Sequence, residues 1–262
     1  MKFNKNQLLF FVLICSLTIT INAQKTLEKP YQKWSKSDAM KILTASAWAQ
    51  TYQSPEASAL AAQQEIRREQ GQTATRGGND PKSTPRDFGQ PPVVIRLHSA
   101  LPVRQALVRI RQIESGYDKM DEKQRADFDK SSRGFLDCAI CKNFYVITLT
   151  KFIDSSGQYV DEGIFQRMEF EQLKNNVWLV NEKGERRNLI QFNPPKTAAD
   201  MAVFYFARVD DKGISFLTPE SKKFEFVFNN GFLDSRNPYT PMLPRRFEFN
   251  VTKLIVDGNL LF

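Results

Sequence analysis

Two cysteines spaced Cys-x-x-Cys, Cys138 and Cys141 in GFLDCAICKNFYVITL, are the pair in this sequence with the clearest chemical potential. The spacing serves three chemistries: a thiol–disulfide centre, part of a metal site, or a local disulfide. A redox centre places the pair at a helix start, where the helix dipole favours the thiolate. Here helix-like sequence precedes the pair and an alternating strand pattern follows it, Phe144, Val146 and Thr148 against Tyr145, Ile147 and Leu149. Lys142 stands where c-type haem attachment needs His. A structural zinc site takes four Cys or His ligands, and beyond residue 23 the chain has two Cys and one His. A structural disulfide is the expected outcome, with redox work or metal-linked thiols as the alternatives.

His98 is the single histidine, so any Ser–His–Asp or Cys–His mechanism must use it. Ser99 adjoins it, and neighbours on a strand face opposite ways, which makes a poor nucleophile–base pair. GxSxG, HExxH, Walker and dinucleotide-binding glycine patterns are absent from the sequence. For His98 we expect a surface or hydrogen-bonding role. Asp127-x-Asp129 opens like a calcium loop, but Ser132 and Cys138 occupy the positions that need Gly and Glu. Asp154, Asp161 and Glu162 share an expected loop, and nothing in their pattern requires a cation. No metal and no cofactor are expected. Arg96, Arg104, Arg109 and Arg111 are the densest basic stretch, with no acid among them. They read as a solvated helix face or as an anion patch for a polyanionic polymer.

These residues must be held by elements that the sequence also marks. Lys2 and Lys5 precede an apolar run, Leu8–Ile21, and Ala23 is a small residue at a suitable cleavage position. This is the pattern of a signal peptide, residues 1–23, and the run falls short of the roughly 20 apolar residues of a membrane span. A retained anchor is the alternative. Cleavage leaves 239 residues and 35 Lys+Arg (37 less Lys2 and Lys5) against 29 Asp+Glu, a net charge of +6. So mild an excess gives no reason to expect nucleic acid as a partner; the sequence leaves the partner open, with an envelope protein or polysaccharide as the candidates.

Residues 24–52 read as a helical arm capped by Ser35 or Ser37. Residues 53–92 are poor in large apolar residues and read as a flexible polar linker. Residues 93–142 read as a strand, 93–98, followed by two helices. The first begins near Pro102 and carries a stripe of Val103, Ala106, Leu107, Ile110 and Ile113, with the arginines mostly off it. The second runs from Asp121 to Ser131. Residues 143–262 read as β-rich, with strands at 143–152, 164–171, 176–181, 186–192, 201–209, 213–217, 222–228 and 246–256. Phe224, Phe226 and Phe228, and likewise Phe247, Phe249 and Val251, recur with a period of two, which marks a buried face. NEKGE (181–185) and DDKG (210–213) signal hairpins. The segment 229–244, with Phe232, Tyr239 and Met242 among prolines, reads as a candidate binding loop or a crossover. The expected fold is α+β: short N-terminal helices packed against a C-terminal antiparallel β-sandwich, immunoglobulin-like or a partial barrel.

Three stretches, KPYQKWSKSDAMKILTASAWAQT (29–51), LHSALPVRQAL (97–107) and FLDCAIC (135–141), resemble a group of uncharacterised exported proteins from soil bacteria. The resemblance implies a signal peptide, a helical arm and a β-rich end, and brings no activity, cofactor or catalytic residue. The functional expectation is an exported, non-enzymatic protein, periplasmic or secreted, with a binding or structural role. A periplasmic thiol–disulfide protein and an anionic-polymer-binding protein are the alternatives.

Overall fold

The computed structural model describes residues 26–52, 93–151, 165–166, 168–197, 200–229, 244–256 and 259–261. The signal segment, the linker 53–92, the cluster Asp154, Asp161 and Glu162, and the loop residues Phe232, Tyr239 and Met242 lie outside them. The protein is mixed helix and sheet. Helix α1 (Lys36–Thr44) precedes strands β1 (Ala49–Tyr52) and β2 (Val93–Leu97), and helices α2 (Leu101–Glu114) and α3 (Glu122–Asp137) follow. Then come β3 (Phe144–Lys151), a single-turn helix α4 (Phe170–Leu173), β4 (Val177–Asn181), β5 (Arg186–Asn193), β6 (Ala202–Ala207), β7 (Lys223–Phe228) and β8 (Arg246–Asn250). A two-strand ribbon, β9 (Ile255–Val256) with β10 (Asn259–Leu260), ends the described chain.

Strands β1 to β8 form one antiparallel sheet in the order β1-β2-β3-β6-β5-β4-β7-β8. The sheet curls until its two edges approach: Gln50 of β1 donates its side-chain amide to the carbonyl of Glu248 on β8, and the rings of Tyr52 and Phe247 lie 6.4 Å apart. Its concave side holds an aromatic core of Tyr145, Phe165, Phe192, Phe204, Phe206, Phe216, Phe224, Phe226, Phe228, Phe247 and Phe249. The period-two phenylalanines of β7 and β8 all point into it, because alternate positions on a strand share a face. Trp48 is buried and its indole N–H donates to the carbonyl of Leu261 at 2.8 Å, so the C-terminal ribbon is tied to the strand at the opposite sheet edge.

Ser35 caps α1 through a reciprocal pair, its Oγ accepting from the Asp38 N–H at 3.0 Å and the Asp38 carboxylate accepting from the Ser35 N–H at 3.1 Å. Asp121 caps α3 in the same way with Gln124. Tight turns at 181–185 and 210–213 use Gly184 and Gly213 at positive φ, 79° and 77°. In each the Asn181 or Asp210 side chain accepts backbone N–H bonds from the turn.

Three expectations change. The segment expected as a strand at 164–171 contains a turn and runs into α4, whose start is held by Gln172 accepting from the Glu169 N–H at 3.0 Å. Residues 213–217 make only the isolated bridge between Val209 and Ser215. The strand expected at 246–256 stops at Asn250, where Val251 begins a 3-10 turn by donating to the Lys222 carbonyl. Of the sheet architectures that the strand pattern left open, strand pairing gives one continuous curled sheet, and it includes β1 and β2 from the N-terminal half.

Candidate functional site

Of the residues singled out for chemistry, Cys138, Cys141, His98, Arg104 and Arg111 gather where α2 and α3 meet the start of β3. Helix α3 ends on Cys138, which adopts φ +40°, a left-handed cap that costs a residue with a Cβ. A 3-10 turn, Ala139–Lys142, leads into β3. Cys138 and Cys141 form a disulfide across this turn with Cα atoms 5.3 Å apart. Cys141 is buried and Cys138 half-buried. The bridge closes a loop so short that chain entropy gives it little leverage. We predict that reduction, or a C138S/C141S double variant, lowers unfolding free energy by less than ~3 kcal/mol. Urea unfolding with and without reductant measures this, and a loss of all folded protein on reduction would refute it.

His98 sits in the turn between β2 and α2. Its ring meets Phe135 of α3 edge-on at 5.4 Å, and its Nδ1 is buried without a hydrogen-bond partner among the described residues. Ring packing against Phe135 is thus the contact the described residues give His98. Burial first, then the positive charges of Arg104, Arg96 and Arg111, pull its pKa down to about 4. Between that value and the ordinary 6.5 the unfolded chain holds a proton that the folded chain refuses. Stability from this group therefore rises with pH across that window, by at most about 1.4 kcal/mol per pH unit, and is fully present above it. Urea midpoints for wild type and His98→Gln on either side of about pH 5 should diverge in slope. Identical pH profiles would show that His98 contributes nothing.

The four arginines of the expected anion patch are not one surface. Arg96, Arg104 and Arg109 are buried, at 8%, 6% and 7% exposure, and only Arg111 is exposed. Arg96 Nε donates to the Leu43 carbonyl at the end of α1, at 2.7 Å. Arg104 donates Nε to Leu136 O on α3 at 3.0 Å, and Nη1 to the carbonyls of His98 and Ser99. Arg109 Nε donates to Trp34 O at 2.8 Å, and its terminal nitrogens meet the Asp118 carboxylate, the closer at 3.2 Å. Arg111 lies over the Phe135 ring at 5.4 Å. Through main-chain carbonyls Arg96 ties β2 to α1, Arg104 ties α2 to α3 and to the turn before α2, and Arg109 ties α2 to Trp34. Burial draws the Arg96 pKa down to about 10; burial also lowers Arg104, against the pull of Asp137. Arg104 and Arg109 lie on the buried face of α2 itself, contrary to the expected stripe, because carbonyl acceptors from other elements reach them there.

Among the described residues no group of three or more His, Cys, Asp or Glu is placed to hold a metal ion, and no helix is long and apolar enough to cross a membrane. What the fold and this junction define is a class: a mixed α and antiparallel β protein with a curled eight-strand sheet and a disulfide at its helix–sheet hinge. Comparison with protein-family models, with curated proteins and with solved structures finds no match.

Proposed function

We propose that this is an exported protein of the cell envelope or extracellular space with a non-enzymatic binding or structural role. In this reading the curled sheet is the scaffold, its two halves acting as the layers of a sandwich with the helices laid against it. The loops present a surface to an envelope protein or polysaccharide. The observation that carries the reading is the Cys138–Cys141 disulfide, since such bonds persist in oxidising compartments and are rare in reducing ones. The basic-then-apolar start, Lys2 to Ala23, supports it.

The thiol–disulfide alternative is disfavoured by placement. Cys138 caps the C-terminal end of α3, where the helix dipole raises the cost of a thiolate rather than lowering it. Expression of the full chain in a bacterium with an intact export pathway tests the proposal. The expected product begins at Gln24, appears in the osmotic-shock fraction or the medium, and reacts with no alkylating agent until reduced. A cytoplasmic product with Met1 retained and both thiols free would overturn it.

A further inference from the structure

The chain holds a single Asn-x-Ser/Thr sequence, Asn250-Val251-Thr252, the acceptor pattern for an N-linked glycan in exported proteins. Such triplets also arise by chance, so placement decides whether this one can serve. The strand pattern at 246–256 would bury it in the middle of a ladder. The structure instead ends β8 at Asn250, and Val251 begins a 3-10 turn.

Burial divides the triplet in the way an acceptor needs. Along β8 the faces alternate, so Phe247 and Phe249 enter the core while Arg246, Glu248 and Asn250 are exposed. Val251 is buried and anchors the turn, its N–H donating to the Lys222 carbonyl at 2.8 Å, and Thr252 beside it is exposed. The Thr252 hydroxyl donates to Asn250 Oδ1 at 2.6 Å, a local link that a short hydroxyl side chain makes readily. Asn250 Nδ2, the atom a glycan would join, has no hydrogen-bond partner among the described residues. Glu248, two residues ahead and exposed, gives the stretch the acid that bacterial asparagine-linked transferases favour there; its carboxylate meets Lys223 Nζ at 2.6 Å.

Access follows from the sheet order. Strand β8 is an edge strand, laddered on one side only, to β7, and Asn250 is its last residue, opposite Lys223. Such strand ends open locally at low cost, which lets a transferase draw out residues 248–252 as an extended peptide.

We propose that Asn250 is a modification site, the acceptor of an N-linked oligosaccharide. Nδ2 attacks the anomeric carbon of a lipid-pyrophosphate-linked oligosaccharide, and the N–C bond forms as the bond from that carbon to the pyrophosphate oxygen breaks. The lipid pyrophosphate leaves with the electron pair, and the amide gives one proton to a base of the transferase. The glycan stands off the end of an edge strand, where a bulky, solvated group opposes edge-to-edge pairing. This rests on the export reading, because donor and transferase act outside the cytoplasm.

The full chain is expressed with its own leader in a bacterium supplied with an asparagine oligosaccharyltransferase and its lipid-linked donor, and in parallel behind a leader of proven export. Protein recovered outside the cytoplasm is measured by intact mass. Peptides are mapped after an amidase that removes N-glycans and converts the linked asparagine to aspartate. The expected result is a mass increase of one glycan, located on Asn250. Asn250→Gln and Thr252→Ala should lose it completely, while Thr252→Ser, which keeps the hydroxyl, should retain it. Circular dichroism checks that each variant folds, and the serine variant decides if the others do not fold. A chain that stays in the cytoplasm with its own leader defeats the export reading alone, since the borrowed leader still decides the glycan. A synthetic peptide of residues 246–254 is offered to the same transferase. Modification of the peptide but not of the exported protein would mean that the fold hides Asn250. Modification of neither would mean that the triplet is no acceptor, and either result overturns the proposal.

Discussion

Phe204→Ala lowers the unfolding free energy by about 3–5 kcal/mol, the largest single-residue loss we expect in the sheet. Phe204 is fully buried on β6, near the middle of the strand order. Its ring meets Phe192 at 5.0 Å, Phe226 at 5.3 Å, Phe165 at 5.5 Å and Phe228 at 6.0 Å, mostly edge-on or tilted. Truncation therefore removes transfer energy, leaves a cavity and breaks four aromatic contacts at once. Three of the four surrounding rings, Phe192, Phe226 and Phe228, belong to strands fixed by ladder hydrogen bonds, so collapse around the gap is limited. Urea unfolding should show a lower midpoint with an unchanged m-value. A loss under about 1 kcal/mol would mean that the aromatic cluster is not the core of the fold.

Arg104→Ala is the second large effect, about 3 kcal/mol or more. One guanidinium serves three carbonyls drawn from two places, Leu136 on α3 and the His98–Ser99 turn. Deleting it leaves acceptors near a buried turn without donors, and Ser99 itself is 1% exposed. Arg104→Lys should recover only part of the loss, because an ammonium cannot span the same fork. Urea unfolding measures both variants, and hydrogen exchange adds a local readout: amides of the last turn of α3 should lose protection before those of β6. Unchanged stability in both variants would show that the turn and α3 hold each other without the arginine.

Local pattern made part of this fold legible. The phenylalanines of β7 and β8 recur with a period of two, against polar residues everywhere but at Val227, so their burial could be read from period alone. The caps Ser35 and Asp121 are local chemistry, each satisfied three residues on. The order helix, cysteines, strand was enough to favour a bridge at Cys138 and Cys141. What was not legible depends on distant partners. Arg109 is buried because Trp34 O, 75 positions earlier, accepts from it, and Arg104 because Leu136 O, 32 positions later, does. An arginine whose acceptor is a main-chain carbonyl leaves no trace in side-chain pattern. One inward arginine did leave a trace: Arg187 stands in phase with the buried Leu189 on the part of β5 before its bulge, a position that strand periodicity marks as unusual.

The strand order has a kinetic consequence. Strands β4, β5 and β6 are neighbours in sequence and in space, yet as a block they sit between β3 and β7. The meander can close early, through short loops. Its outer partners must then arrive from both sides, β3 pairing with β6 and β7 with β4 across long stretches of chain. Each such docking spends loop-closure entropy before it gains contacts. Among the described residues the two flanks have no ladder to each other; a Gln50 side chain and the Tyr52–Phe247 ring pair reach from one edge strand to the other in the finished sheet. Assembly should thus begin as a three-strand nucleus and spread outward, with β1 and β8 the last strands to dock and the first to peel away under stress.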